Sequence, residues 1–260
     1  MVQRVRPMSR PVHYPLLVHG FTGSSDSWGE RIIDGLSGAG LPPVLVDLPG
    51  HGREATRDDA PPPTLDVSLQ AIADAGDWPT DLVGYSMGAR VALHFAVTHP
   101  GRLRRLVLES GSPGLADASE RAARRRTDEA LAARIVEEGI ERFVAHWEAQ
   151  PMFETQRRLS PEARARHREI RTRNEPRSLA AALTALGTGQ LPSLWDDLAG
   201  IATPTLLLVG SLDRRFVGIA ERMAATIPDA CLVVVPDAGH TVHLERPAAW
   251  LEAVTDFLSR

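Results

Sequence analysis

The chain has 260 residues, 43% of them apolar, and a formal net charge of −4. That length and apolar share exclude a disordered chain and suit one large α/β unit with a sizeable core. The acidic balance argues against nucleic acid as a partner, and no apolar run approaches the ~20 residues that a membrane-crossing helix needs, so no membrane association is expected.

In chain order, residues 1–10 are basic but lack an apolar run, so they are not read as a signal peptide. Short apolar runs then recur at 15–20 (PLLVHG), 43–47 (PVLVD), 81–86 (DLVGYS), 105–110 (RLVLES), 205–210 (TLLLVG) and 231–236 (CLVVVP). They are rich in Val and Leu without polar alternation, which predicts strands covered on both faces, as in a parallel sheet. Residues 60–63 (APPP) form a stiff loop. Thr64 then caps a helix that carries Leu65, Leu69 and Ile72 on one face and ends at Gly76. Another helix spans 89–97, and Pro247 opens the last one through Trp250 and Leu251 towards Phe257. This alternation predicts an open α/β sheet flanked by helices. Cys231 is the single cysteine, so no internal disulfide can form; it is expected to be a small buried hydrophobe in a cytoplasmic protein.

One stretch breaks the alternation. Residues 115–195 lack a convincing strand and read as several helices inserted between the fourth and fifth strands, the place and size of a lid. The core is then 1–114 with 196–260. The chain has no lysine. The insert holds 14 Arg against 12 acidic residues, and 157–177 holds eight Arg against three Glu. Such a run is either a solvated helix face or a carboxylate-binding surface, since guanidinium forks match carboxylates.

Gly84-Tyr85-Ser86-Met87-Gly88 has the G-x-S-x-G pattern between a strand and a helix. That context makes it the nucleophile elbow of the α/β-hydrolase fold, with Ser86 raised above the sheet edge and the Met87 amide at a helix N-terminus, able to hold an oxyanion. A second amide is expected from His19-Gly20-Phe21-Thr22-Gly23, at Phe21; Leu48-Pro49-Gly50-His51-Gly52 is another loop at the same edge. The order on this fold is Ser, acid, His. His240 follows the last strand, with His243 its rival. Asp213 follows the fifth strand, with Glu109 a possible substitute; Asp237 is assigned to loop hydrogen bonding.

These motifs are shared by esterases, lipases, thioesterases and several non-hydrolytic enzymes. The finer sequence resembles the 2-succinyl-6-hydroxy-2,4-cyclohexadiene-1-carboxylate synthases of menaquinone biosynthesis over almost the whole length. The resemblance rests on HGFTGSSDSW, DLPGHG, GYSMGARVAL, LESGSPGL, SERAARRRTDEALA, HWEAQPMF and GTGQLPSLWDDL. It implies a lyase without cofactor or metal that eliminates pyruvate from a small-molecule tricarboxylate. It also implies that Arg90, Arg124 and Arg171 bind carboxylates and that Tyr85 and Trp147 line the pocket. Arg90 has its own support, four residues after Ser86 on the elbow helix. Two departures stand out: Gly88-Ala89 where many relatives have two glycines, and Arg215 where relatives often have lysine before the phenylalanine. On this reading Ser86, activated by His240 and Asp213, acts as a base in a monomeric enzyme. The alternatives are a carboxylesterase or thioesterase working through an acyl-serine, and a catalytically silent binding protein.

Overall fold

The computed structural model describes residues 14–52, 55 and 60–260; the basic segment 1–10 lies outside them. Six strands form one sheet: β1 (Leu16–Val18), β2 (Val44–Val46), β3 (Thr80–Tyr85), β4 (Leu103–Glu109), β5 (Thr205–Gly210) and β6 (Ala230–Val235). Their spatial order is β2-β1-β3-β4-β5-β6, and each neighbouring pair is parallel. All six fall on the apolar runs.

Period two of the strands divides the core. Leu16, Val18, Leu82, Leu106, Leu108, Leu207 and Val209 face one layer, where they meet α2 (Leu65–Ala75), α3 (Met87–Thr98) and α8 (Arg214–Ala224). Leu17, Val83, Val107, Leu206 and Leu208 face the other, against α1 (Gly29–Gly38), the short α9 (Val242–Glu245) and α10 (Pro247–Ser259). Each fully buried Leu or Val contributes roughly 1.5–3 kcal/mol, and both sheet faces are filled this way. Thr64 caps α2 by accepting from the Val67 amide at 3.2 Å. Cys231 is half-buried and packs against the second layer; the sequence reading buried it fully, but β6 is an edge strand.

Between β4 and β5 the chain forms α4 (Ala118–Glu138), α5 (Ile140–Glu148), a 3-10 turn (Pro151–Arg158), α6 (Pro161–Thr172) and α7 (Pro176–Leu186). Their ends are marked locally. Asp117 accepts from Glu120 N at 2.8 Å, Ser160 from Ala163 N at 3.2 Å, and Glu175 from Ser178 N at 2.6 Å. Gly139, with φ of 79°, separates α4 from α5. The insert has its own apolar cluster, including Ile135, Phe143, Val144, Leu179 and Leu183, against which Phe21 of the core packs. Among the described residues no helix is long and apolar enough to cross a membrane.

Candidate active site

The elbow is built by close packing. A Cβ at Gly84 would lie 2.6 Å from Gly88 O, and one at Gly88 would collide with the carbonyls of Val18 and His19. The two glycines therefore let α3 press onto β1 and β3, while the strained conformation falls on Ser86 itself, at φ 51°. Ala89, the first of the two departures from relatives, fills the space left by Gly111, where a Cβ would lie 2.8 Å from Ala89 Cβ.

His240 Nε2 lies 3.0 Å from Ser86 Oγ, and His240 Nδ1 lies 2.6 Å from Asp213 Oδ2. The Asp213 carboxylate also caps α8, its Oδ1 accepting from Phe216 N at 3.5 Å. The loops that carry the acid and the histidine are joined: Leu212 N donates to Ala238 O at 2.9 Å, and a Cβ at Gly210 would collide with the carbonyls of Ala238 and Gly239. Ser110 Oγ donates to His240 O at 2.8 Å and fixes the backbone of the histidine. The imidazole is 1% exposed, with Phe216 edge-on at 4.7 Å and Phe153 at 6.3 Å.

The rivals pair with each other. His243 Nδ1 lies 2.9 Å from both Glu109 carboxylate oxygens, and Trp250 Nε1 donates to Glu109 Oε2 at 2.8 Å. His243 Nε2 is buried without a partner. This second histidine–carboxylate pair therefore sits beneath the site and supports it. The Tyr85 ring stands edge-on to His243 at 4.8 Å, and the Tyr85 hydroxyl shares a 2.7 Å hydrogen bond with Thr241 Oγ1. Burial pushes that hydroxyl well above the usual phenol range.

Ser86 opens into a cavity of about 150 Å³ lined also by Phe21, Tyr85, Met87, Arg90, Arg124 and Trp147. Seven sequence-predicted residues thus meet there, with His240 and Asp213 immediately behind Ser86. Neither the Phe21 amide nor the Met87 amide donates to an acceptor among the described residues. Trp147 packs against Phe21 at 5.4 Å and Phe153 at 5.6 Å. Arg90 reaches Leu186 O at 3.3 Å, and its Nε is buried without a partner. Burial, with the Arg124 guanidinium beside it, pushes Arg90 down to about 10. Arg124 Nε pairs with Asp128 Oδ1 at 2.8 Å, whereas no described carboxylate forms an ion pair with Arg90.

Arg171 is not brought to this cavity. It lies over the Phe153 ring at 5.1 Å, paired with Glu148 at 3.0 Å and close to Gln156 Oε1 at 3.4 Å. Several lining residues escaped the sequence reading as site residues, among them Arg215, Phe216, Ser112 and Thr188. Arg215 was visible only as a departure from relatives; Phe216 sits three residues after Asp213, where the capping turn returns it to the site. Ser112 and Thr188 lie in the LESGSPGL and GTGQLPSLWDDL stretches, which carried the resemblance without a role for either residue.

The family described as the alpha/beta hydrolase family matches residues 16–254. A Bacillus subtilis protein, provisionally named as a 2-succinyl-6-hydroxy-2,4-cyclohexadiene-1-carboxylate synthase, is 39% identical over 93% of this chain and 89% of its own. The synthase of that name from Klebsiella pneumoniae is 35% identical over 95% of this chain and 94% of its own. The solved structure of MenH from S. aureus superposes with a TM-score of 0.89 at 33% identity, over 97% of this chain and 95% of that one.

Proposed function

The chain belongs to the alpha/beta hydrolase family and, within it, to the 2-succinyl-6-hydroxy-2,4-cyclohexadiene-1-carboxylate synthases; from that premise we propose how its site works. It is a carbon–oxygen lyase of menaquinone biosynthesis. It eliminates pyruvate from 2-succinyl-5-enolpyruvyl-6-hydroxy-3-cyclohexene-1-carboxylate to give 2-succinyl-6-hydroxy-2,4-cyclohexadiene-1-carboxylate.

The observation that carries the mechanism is one cavity holding a serine relay on one wall and the Arg90–Arg124 pair on another. His240 takes the Ser86 proton through Nε2, and Asp213 stabilises the resulting imidazolium. The serine oxygen removes the proton from the ring carbon beside the succinyl ketone. The electron pair moves onto the ketone oxygen, where the Phe21 and Met87 amides hold it. Collapse of the enolate breaks the carbon–oxygen bond to the enolpyruvyl group, which leaves as the enolate of pyruvate and takes up one proton to become pyruvate. The His240 imidazolium gives up the proton it holds, and the relay is reset. No electron acceptor or cofactor is required. Arg90 and Arg124 grip substrate carboxylates, and the α3 N-terminus adds its positive end. This fixes the C–H against a weak base, the orientation that such a base requires. We place the enzyme in the cytoplasm as a monomer acting on a free tricarboxylate.

Purified protein in EDTA should release one pyruvate per substrate in a lactate dehydrogenase couple. Protein quenched during turnover should keep its unmodified mass, because proton abstraction leaves no adduct. Turnover of p-nitrophenyl esters without pyruvate release, or a kinetically competent adduct on Ser86, would replace this reading with an acyl-serine hydrolase.

A further inference from the structure

The turn that carries the Phe21 amide is closed by Gly23 N donating to Gly20 O at 3.0 Å. Its third residue is Thr22, at φ 66°, a position that favours glycine or asparagine. A β-branched residue stays in the left-handed region only when its surroundings hold it there. What holds it comes from the helical insert. Asn174, in the corner between α6 and α7, is 3% exposed, and its amide is fully engaged. Its Nδ2 donates to Thr22 O at 2.8 Å and to Arg171 O at 3.0 Å, while its Oδ1 accepts from Gly52 N at 3.3 Å. One side chain of the insert therefore joins both core loops that were read from the sequence as lying at the catalytic edge. The seat is close elsewhere too: a Cβ at Gly50 would lie 2.8 Å from Ser178 O of α7.

We propose that Asn174 is a positioning residue that holds the Gly20–Gly23 turn and so aims the Phe21 amide, making the oxyanion site depend on the seated insert. The proposal rests on the reading of Phe21 as an oxyanion donor. Asn174 does not line the Ser86 cavity and touches no reacting atom.

The test uses Asn174→Ala and the isosteric Asn174→Asp, which keeps the acceptor for Gly52 N but loses both donors. Two readouts are taken on each folded variant: amide hydrogen exchange by mass spectrometry, and kcat and KM for pyruvate release. Exchange across residues 20–24 should rise at least tenfold, with β3 unchanged. The kcat should fall about 10- to 100-fold with KM within threefold, because the Arg90 and Arg124 contacts to substrate are untouched. Unchanged exchange in the turn, or an unchanged kcat, in Asn174→Asp overturns the proposal. An equal rise in exchange throughout the insert and core, with KM and kcat failing together, also overturns it by reducing Asn174 to general packing. If the wild-type protein releases no pyruvate, the proposed function fails instead, and the exchange readout still decides whether Asn174 holds the turn.

Discussion

His240 and His243 stand three residues apart, each with Nδ1 against a carboxylate, and the second ring nitrogen separates their roles. In His240 it reaches Ser86; in His243 it is sealed. His240→Ala should lower kcat by roughly 10³–10⁵-fold, since the residues of such a relay act as a unit. His243→Ala removes the imidazole partner of the buried Glu109 carboxyl, which keeps the Trp250 Nε1 donor and the backbone amide at position 243, a loss of about 1–3 kcal/mol. Urea unfolding should show that loss, while the folded variant keeps kcat within about tenfold. The reverse pattern would exchange the assignments. Chain order pointed to Ser86, Asp213 and His240, but spacing alone could not dismiss Glu109. Strand alternation does. Glu109 shares the face of Val107, which belongs to the α1–α10 layer, so its carboxylate meets Trp250 and His243 there.

The helical elements divide the arginines more sharply than the sequence could. Arg90 stands one turn after Ser86 on α3, and Arg124 reaches the same cavity from α4. In the run 124–126 only Arg124 is partly buried; at 100° per residue its two neighbours turn outward to solvent. Arg171 on α6 was grouped with them by resemblance, yet its guanidinium is spent on Glu148 and on the Phe153 ring. Arg90→Ala and Arg124→Ala should each lower kcat/KM about 10- to 150-fold, the rate equivalent of a charge-assisted hydrogen bond of roughly 1.5–3 kcal/mol, with little change in thermal midpoint. Arg171→Ala should lower the thermal midpoint and cost kcat/KM less than either. Steady-state kinetics and melting curves on the three variants check the division; equal kinetic losses in all three would put Arg171 back among the substrate ligands. The existence of the insert was legible because the 81 residues 115–195, without a strand, must go somewhere. Which of its arginines face inward was not, because that depends on how α4, α6 and α7 pack on one another.

The whole molecule carries several histidines that folding keeps neutral, and they join the catalytic edge to overall stability. His19 and His51 are fully buried with their rings 5.1 Å apart, and His94 is 5% exposed on α3. Burial lowers all three. His51 falls to about 3, helped by His19 beside it, and His94 to about 4, helped by Arg90; for His19 the nearby Asp47 only partly opposes burial. His19 also accepts the Leu48 amide through Nε2 at 3.0 Å, a bond that its protonated form cannot make. In the unfolded chain each histidine titrates near its ordinary 6.5. Below that pH the unfolded state binds more protons than the folded one, so this part of the stability is present above pH 6.5 and lost as pH falls towards 3–4. Each extra proton bound on unfolding gives a slope of about 1.4 kcal/mol per pH unit. The window from pH 6.5 to 5 lies above the ordinary carboxylate range, so loss of stability there reports histidines. Unfolding free energy measured in urea should fall steadily across that window, and His51→Gln should reduce the slope by about one proton. A stability flat from pH 6.5 to 5 in the wild-type protein would mean that these histidines accept protons without unfolding the chain. Because His19 and His51 flank the loops that Asn174 joins, the same acid range should loosen residues 20–24 before β3 in hydrogen exchange.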